Sequence, residues 1–471
     1  MNIPRFPLLA KTIALAGVLL ALTMVLGRIE RLVNEREGRL REAQAGVAES
    51  LASAQAMLGP VLQRRCTERW ESESIVNGQR SIKVEQRDHL LQALPATLSI
   101  DGAVAVEQRR RGLFRINVYS LQGQVEANWR DLTALTLKPS QPRASVTCEE
   151  PAMWVAVRDT RGIGRAEVTI DGTAAAVKPG SLTDAAPAGF HVPLPTTRLD
   201  TGQPLAVRIG LTLAGTEALS FVPLASDTQV RLRADWPHPS FNGRFLPAQR
   251  EIDERGFSAH WQVSGLATQA PEQLLAGGKL CEAAASWMPM ISDRVPPRPA
   301  AAGCIERFGV ALIDPVSPYT LADRATKYGL LFIVLTFVAV GLVEILRRLR
   351  VHPIQYLLVG SALALFFLLL VSLGEHLPFA QAYAVAAGAC TVLLAYYATH
   401  VLRGLRAGLA FGGGIAVLYA ALYVLLQLEQ TALVMGALLL FAALSTVMVV
   451  TRRLDWYALL AQLRGTDGDA R

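Results

Sequence analysis

Catalytic signatures are missing from this 471-residue sequence. It contains no GxSxG elbow, HExxH helix or P-loop, and no complete dinucleotide fingerprint. Gly162-Ile163-Gly164 lacks the third glycine and the strand–helix context, so it reads as a turn. The seven histidines are dispersed, with no pair at metal-ligand spacing. No CxxC is present, which removes zinc knuckles and thioredoxin-like sites. Catalytic triads are spatial rather than sequential, so these gaps lower the odds of an enzyme without closing the question. The reading is a non-enzymatic protein without cofactor or metal.

Two further absences lie in the last third of the chain. Five apolar stretches read there as Tyr328–Leu346, Ile354–Leu373, Phe379–His400, Leu409–Leu426 and Thr431–Val450. The gaps around Glu375-His376 and around Glu429 hold no Lys or Arg. The other gaps and the tail do: Arg347, Arg348 and Arg350, then Arg403 and Arg406, then Arg452 and Arg453. Each stretch approaches the ~20 apolar residues that cross a ~30 Å hydrocarbon layer. Loops retained in the cytoplasm collect Lys and Arg, so the alternation sets an orientation. A sixth stretch, about Thr12 to Gly27, follows Arg5 and Lys11 and reads as an uncleaved anchor with a cytoplasmic N-terminus.

Everything from Arg28 to about Lys327 then lies outside the cytoplasm, long enough to bury a core of its own. The net charge of +7 does not point to nucleic acid. Outside the block stand 11 Lys and Arg against 6 Asp and Glu, so the block is near neutral and the basicity is mainly a topology signal. No basic run interleaved with aromatics supports nucleic-acid binding.

Four of the five cysteines, Cys66, Cys148, Cys281 and Cys304, fall in this block, while Cys390 lies in a span. An even count in an oxidising space permits disulfides, with three pairings open. Cys281 with Cys304 is favoured, because it staples a Pro- and Ala-rich loop, and Cys66 with Cys148 follows.

Within the block, Ile29, Leu32, Val33, Leu40, Val47, Leu51, Leu58 and Val61 recur at helical spacing, ending near Gly59-Pro60. This predicts an amphipathic helix over 28–62, either a stalk packed on the block or a partner-binding element. Beyond it the period becomes two. Phe114, Ile116 and Val118 alternate with polar neighbours, and Val125, Ala127 and Trp129 do so after Gln122-Gly123, which reads as a hairpin. Similar strands are read at Ala166–Ile170, Leu205–Leu213, Val230–Ala234 and Phe257–Val263. The fold class is therefore a membrane protein of α+β type. It has one N-terminal transmembrane helix, a large mainly antiparallel, sandwich-like β domain, and a five-helix C-terminal bundle. The expected divisions are 1–27, 28–62, 63–327, 328–451 and 452–471.

Two runs carry candidate functional residues. In ADWPHPSFNGRFLP, prolines and Asn242-Gly243 shape a loop bearing Trp236, Phe241 and Phe245. These aromatics either seal the sandwich rim or anchor an envelope ligand or protein. In SLGEHLPF, Glu375 and His376 sit at a membrane edge, either as a tight interfacial turn or as a proton relay of a membrane enzyme or transport component. Gly404, Gly408 and Gly412 repeat at i+4, a spacing that lets helices approach closely.

These runs, together with FGVALIDPVSPYTLADRATKYGLLFI, HPIQYLLVGSALALFFLLLVSLGEHLPF, LYVLLQLEQTALVMGALLLF and TRRLDWY, resemble the CreD family of inner-membrane proteins. The resemblance extends to LVNEREGRLREAQ, NVYS and RDTRGI, in the family's order. It implies a bacterial inner-membrane protein, so the orientation read from Lys and Arg places both termini in the cytoplasm and the large domain in the periplasm. It also implies a link to envelope integrity, a two-component regulatory system, colicin tolerance and β-lactam sensitivity. Its expected partners are the lipid bilayer and a periplasmic protein or envelope ligand. The family supplies no catalytic residue to carry over. QRRCTERWESES and the long insert between Cys281 and Cys304 depart from its pattern.

Overall fold

The computed structural model describes residues 7–76, 79–184, 186–199, 202–281, 303–312, 318–346, 351–402, 404–428 and 432–452. The chain divides into two compact units, Met1–Arg39 with Val316–Arg471, and Leu40–Pro315. The seven helices of the described residues are α1 (Pro7–Ser50), α2 (Ala270–Leu275), α3 (Pro318–Leu346), α4 (Pro353–Gly374), α5 (Phe379–Val401), α6 (Leu405–Gln427) and α7 (Ala432–Thr451). All except α2 are long and apolar enough to span a membrane, matching the six stretches read from the sequence. Helices suit these segments because a bilayer offers no partner for an unpaired peptide group. Their shared core gathers Phe366, Tyr383 and Tyr419, with the Phe366 and Tyr419 rings 4.5 Å apart.

The Leu40–Pro315 unit is built on two sheets. A nine-stranded sheet is organised around Gln55–Val76, which pairs in parallel with Ala218–Phe221 and antiparallel with Ala152–Val157. Farther along, the same strand forms a hairpin with Gln79–Ala93 and pairs with Ser145–Cys148. The eight-stranded sheet runs Gln249–Asp253, Gly256–Ser264, Asp227–Ala234, Thr97–Arg111, Phe114–Trp129, Leu205–Thr216, Ile163–Ile170 and Thr173–Ala175 in spatial order. All its pairs are antiparallel except Asp227–Ala234 with Thr97–Val104. The sheets share one apolar core, where Trp261 of the second meets Phe308 of the first at 5.8 Å. The first sheet is also covered on its other face, where Leu58, Trp154 and Val222 pack with Leu274 of α2 and Ile305. The expected mainly antiparallel β domain is therefore present, with two parallel pairings inside it.

Two local expectations give way. The helix does not reach Gly59-Pro60: α1 stops at Ser50 and a strand begins at Gln55. Arg161 caps its end, the guanidinium donating to the last carbonyls, Glu49 O and Ala48 O. Asp159, its carboxyl held down at about 2 chiefly by Arg161, then accepts Ser53 N–H at 3.1 Å and steers the chain into the sheet. Leu58 and Val61 look helical in spacing because their strand is buried on both faces, which erases the alternation. Likewise Gln122-Gly123 is no turn. Phe114–Trp129 is one strand, and its pattern changes phase because Val118 and Tyr119 are both buried.

Both disulfides form, Cys66–Cys148 and Cys281–Cys304. Beside the first, the fully buried Glu68 clips a loop to the strand. It accepts Ser140 N–H at 2.6 Å, Ser140 Oγ at 2.8 Å and Gln141 N–H at 3.3 Å, with His89 Nε2 at 3.4 Å. Donation from the Ser140 backbone and hydroxyl holds this carboxyl below the usual glutamate range, although burial opposes it.

Two expectations follow from this packing. Trp261→Ala removes a fully buried ring at the junction of the sheets and is expected to cost about 3–5 kcal/mol, read as a lowered denaturation midpoint. The Glu68 clip, with its folded pKa depressed, is complete at neutral pH. It fades only as pH falls below the ordinary value of about 4.3. Glu68→Gln should speed tryptic cleavage after Arg143, which precedes Ala144, at neutral pH; unchanged cleavage would remove the clip's role.

Candidate functional site

Glu375 caps the C-terminus of α4, directly after Gly374, and α5 restarts at Phe379 with Pro378 as its N-cap. The intervening turn is tied by His376 N–H to Leu373 O at 3.0 Å and Leu377 N–H to the same carbonyl at 2.8 Å. The Glu375 carboxylate is only 11% exposed and faces Arg36 of α1, with Nε at 3.4 Å. The His376 side chain is exposed. Tyr319 of α3 lies within electrostatic range of both Glu375 and Arg36. One helical turn onward, the buried Asp323 carboxylate pairs with Lys327 at 2.9 Å. This end of the bundle thus gathers charges from α1, α3 and α4 around a largely buried carboxylate. Glu429 lies outside the described residues.

The opposite end holds a second ionic cluster that the sequence reading passed over. Glu344 of α3 pairs with Lys11 of α1, accepts Tyr356 Oη of α4 at 2.9 Å, and accepts Val351 N–H at 3.2 Å. The Lys11 ammonium also stands 5.9 Å from the centre of the Tyr356 ring. A lone carboxylate inside the apolar run GLVEIL was the available signal, since an acid at such a depth needs a partner. Lys11 and Arg36 are 25 residues apart, roughly 37 Å along an α-helix. That exceeds the ~30 Å hydrocarbon layer, so the two clusters bracket it.

The aromatic run of the other unit turns inward. Trp236 is 9% exposed and its indole N–H donates to His238 O at 3.0 Å. Phe241 meets Trp261 and Phe257 edge-on at 5.6 and 5.5 Å, and Phe245 meets Phe308 at 6.2 Å. Strand pairing of Ser240–Gly243 with Phe308–Ala311 fixes this direction. Leu246 is the exposed apolar residue of the run, at 65%.

Each ionic cluster anchors α1 to the bundle. Arg36→Glu alone should therefore lower the thermal stability of the bundle by about 1–3 kcal/mol. The swap Arg36→Glu with Glu375→Arg should recover most of it in a denaturation assay. Equal losses in single and double variants would show that no specific pair exists.

Residues 7–457 match the family model described as Inner membrane protein CreD. A relative from Escherichia coli with that description is 33% identical over 458 residues, covering 96% of this chain and 95% of its own length. Among solved structures, an M1 zinc metallopeptidase from Deinococcus radiodurans shares 11% identity over 36% of this chain and 38% of that one, at a TM-score of 0.18. That likeness carries no argument about the present fold. With one family model running over nearly the full length and a relative aligned end to end, this chain belongs to the CreD family of inner membrane proteins.

Proposed function

We propose that this protein supports cell-envelope integrity from the inner membrane. Its two-sheet unit would face the periplasm and bind a periplasmic or lipid component, and the helices would anchor that unit. The observation that carries the reading is the two-sheet unit inserted between the first two spans and closed by two disulfides. Disulfides belong to an oxidising space. The arginines after α3, in the α5–α6 gap and after α7 favour cytoplasmic loops there, which leaves the block on the periplasmic side with both termini inside. Association with a partner rather than turnover of a substrate is favoured by the engagement of Glu375 with Arg36, which commits the carboxylate to an ion pair.

The test is complementation of a deletion strain under β-lactam and envelope stress, with protein levels monitored. The wild-type chain should restore tolerance, and so should Glu375→Gln with His376→Ala. Failure of that double variant at normal protein level would instead favour a relay through the pair. Leu246→Ser probes the exposed part of the aromatic run without opening the core and is expected to weaken complementation several-fold. A deletion strain indistinguishable from its parent under every stress would remove the integrity role itself.

A further inference from the structure

A cleft of about 370 Å³ opens between α3 and α6. Leu335, Ala339 and Val343 form one wall, and Ala410, Gly414 and Leu418 form the other. Its lining is apolar: the one hydroxyl, on Thr336, is spent on Phe332 O at 2.8 Å. A smaller pocket of about 30 Å³ adjoins it and shares Val343, Leu402 and Phe411.

The opening is a property of how α6 distributes its small residues. Toward α5 the glycines close the gap. A Cβ on Gly408 would lie 2.2 Å from Thr399, and one on Gly412 would lie 2.6 Å from Ala395. Toward α3 they do not, since a Cβ on Gly414 would meet nothing within 4 Å. Small residues on this side leave room rather than bring helices together.

Depth identifies the occupant. The lining runs from Ala407 to Leu418 on α6, 11 residues of rise or roughly 16 Å. That is about half of a ~30 Å hydrocarbon layer, so the cleft is one leaflet deep. A second transmembrane helix needs a groove of full length, whereas an acyl chain ends at mid-bilayer. The mouth has matching charge. α6 starts at Leu405 without a side-chain cap on its N-terminus, and the exposed Arg406 lies on the same helical stripe as Ala410 and Gly414. Glu344, the acid next in sequence to the lining residue Val343, is turned to Lys11 and Tyr356 and lies outside the lining.

We propose that this cleft holds one acyl chain of an anionic phospholipid, whose phosphate docks at the first turn of α6 beside Arg406. The site requires only the inner-membrane placement of the chain and is independent of what the two-sheet unit binds. A phosphate there accepts from backbone N–H groups and the guanidinium together, as anions do at helix N-termini.

Native mass spectrometry of the full chain in mild detergent, challenged with equimolar phosphatidylglycerol and phosphatidylcholine, tests it. The wild type should retain one phosphatidylglycerol in preference to phosphatidylcholine. Arg406→Gln should reduce that preference about tenfold, the loss expected for one charge-assisted hydrogen bond. Ala339→Phe and Gly414→Leu fill the cleft from opposite walls, and whichever is monodisperse and folded should abolish retention. Gly388→Leu, which fills a separate groove between α5 and α6, should leave retention unchanged. Absence of retained phospholipid in the wild type, or equal retention in a filled variant, would overturn the site. Unchanged preference in Arg406→Gln would overturn the phosphate contact.

Discussion

The pairing of Lys11 with Glu344, completed by Tyr356, is the contact on which the helical unit depends. A carboxylate near the hydrocarbon boundary is costly unless it is matched, and here three helices contribute to the match. The cluster selects which face of α1 meets α3 and α4, and the apolar residues Leu22 and Leu26 then pack into the shared core. Arg36 and Glu375 repeat the arrangement about seven turns farther along the same helix. Two ionic contacts, one toward each end of the apolar stretch of α1, hold α1 in register against sliding. Apolar packing adds to that register, with Leu22 seated against Gly360 and Leu26 against Gly329.

How much of this was legible follows from what each residue faces. The eight-stranded sheet was visible because its outer face is wet. Leu205, Val207, Ile209, Leu211 and Leu213 are buried while their neighbours are not, so period two survives in the sequence. The nine-stranded sheet was largely hidden. Ala152–Val157 is buried throughout, and Ala218–Phe221 and Phe308–Ala311 are too, so no alternation remains to be read. For the same reason Leu58 and Val61 extended the helical pattern past its end. The last carbonyls of the helix are capped by Arg161, more than a hundred positions away, a contact that local periodicity does not encode.

The candidate site shows the same division. Glu375 was visible as a carboxylate at the end of a span, but its partner Arg36 was not, since chain separation hides which helices meet. Trp236, Phe241 and Phe245 were visible as an aromatic run, and composition alone could not give their direction. The pairing of Ser240–Gly243 with Phe308–Ala311 turns the Phe241 ring onto Trp261. Glu68 was lost among the charges of QRRCTERWESES, a segment too polar to suggest a buried position. Its burial is tolerated because Ser140 and Gln141 donate to it from a loop that no pattern connects to the strand.

Glycine spacing on α6 illustrates why a motif must be read with its neighbours. The repeat Gly404, Gly408, Gly412 suggests close helix approach, and for Gly408 and Gly412 the distances to Thr399 and Ala395 bear that out. Gly414 extends the glycine run, yet it faces space. One helix therefore uses the same residue type for opposite ends, contact on the α5 side and vacancy on the α3 side. In water such a vacancy would weaken the fold, because an unfilled apolar void forfeits dispersion contacts. In a bilayer the surrounding solvent is itself chain-like and can enter from the side. A one-leaflet cleft flanked by a basic helix start is then a feature that the membrane completes.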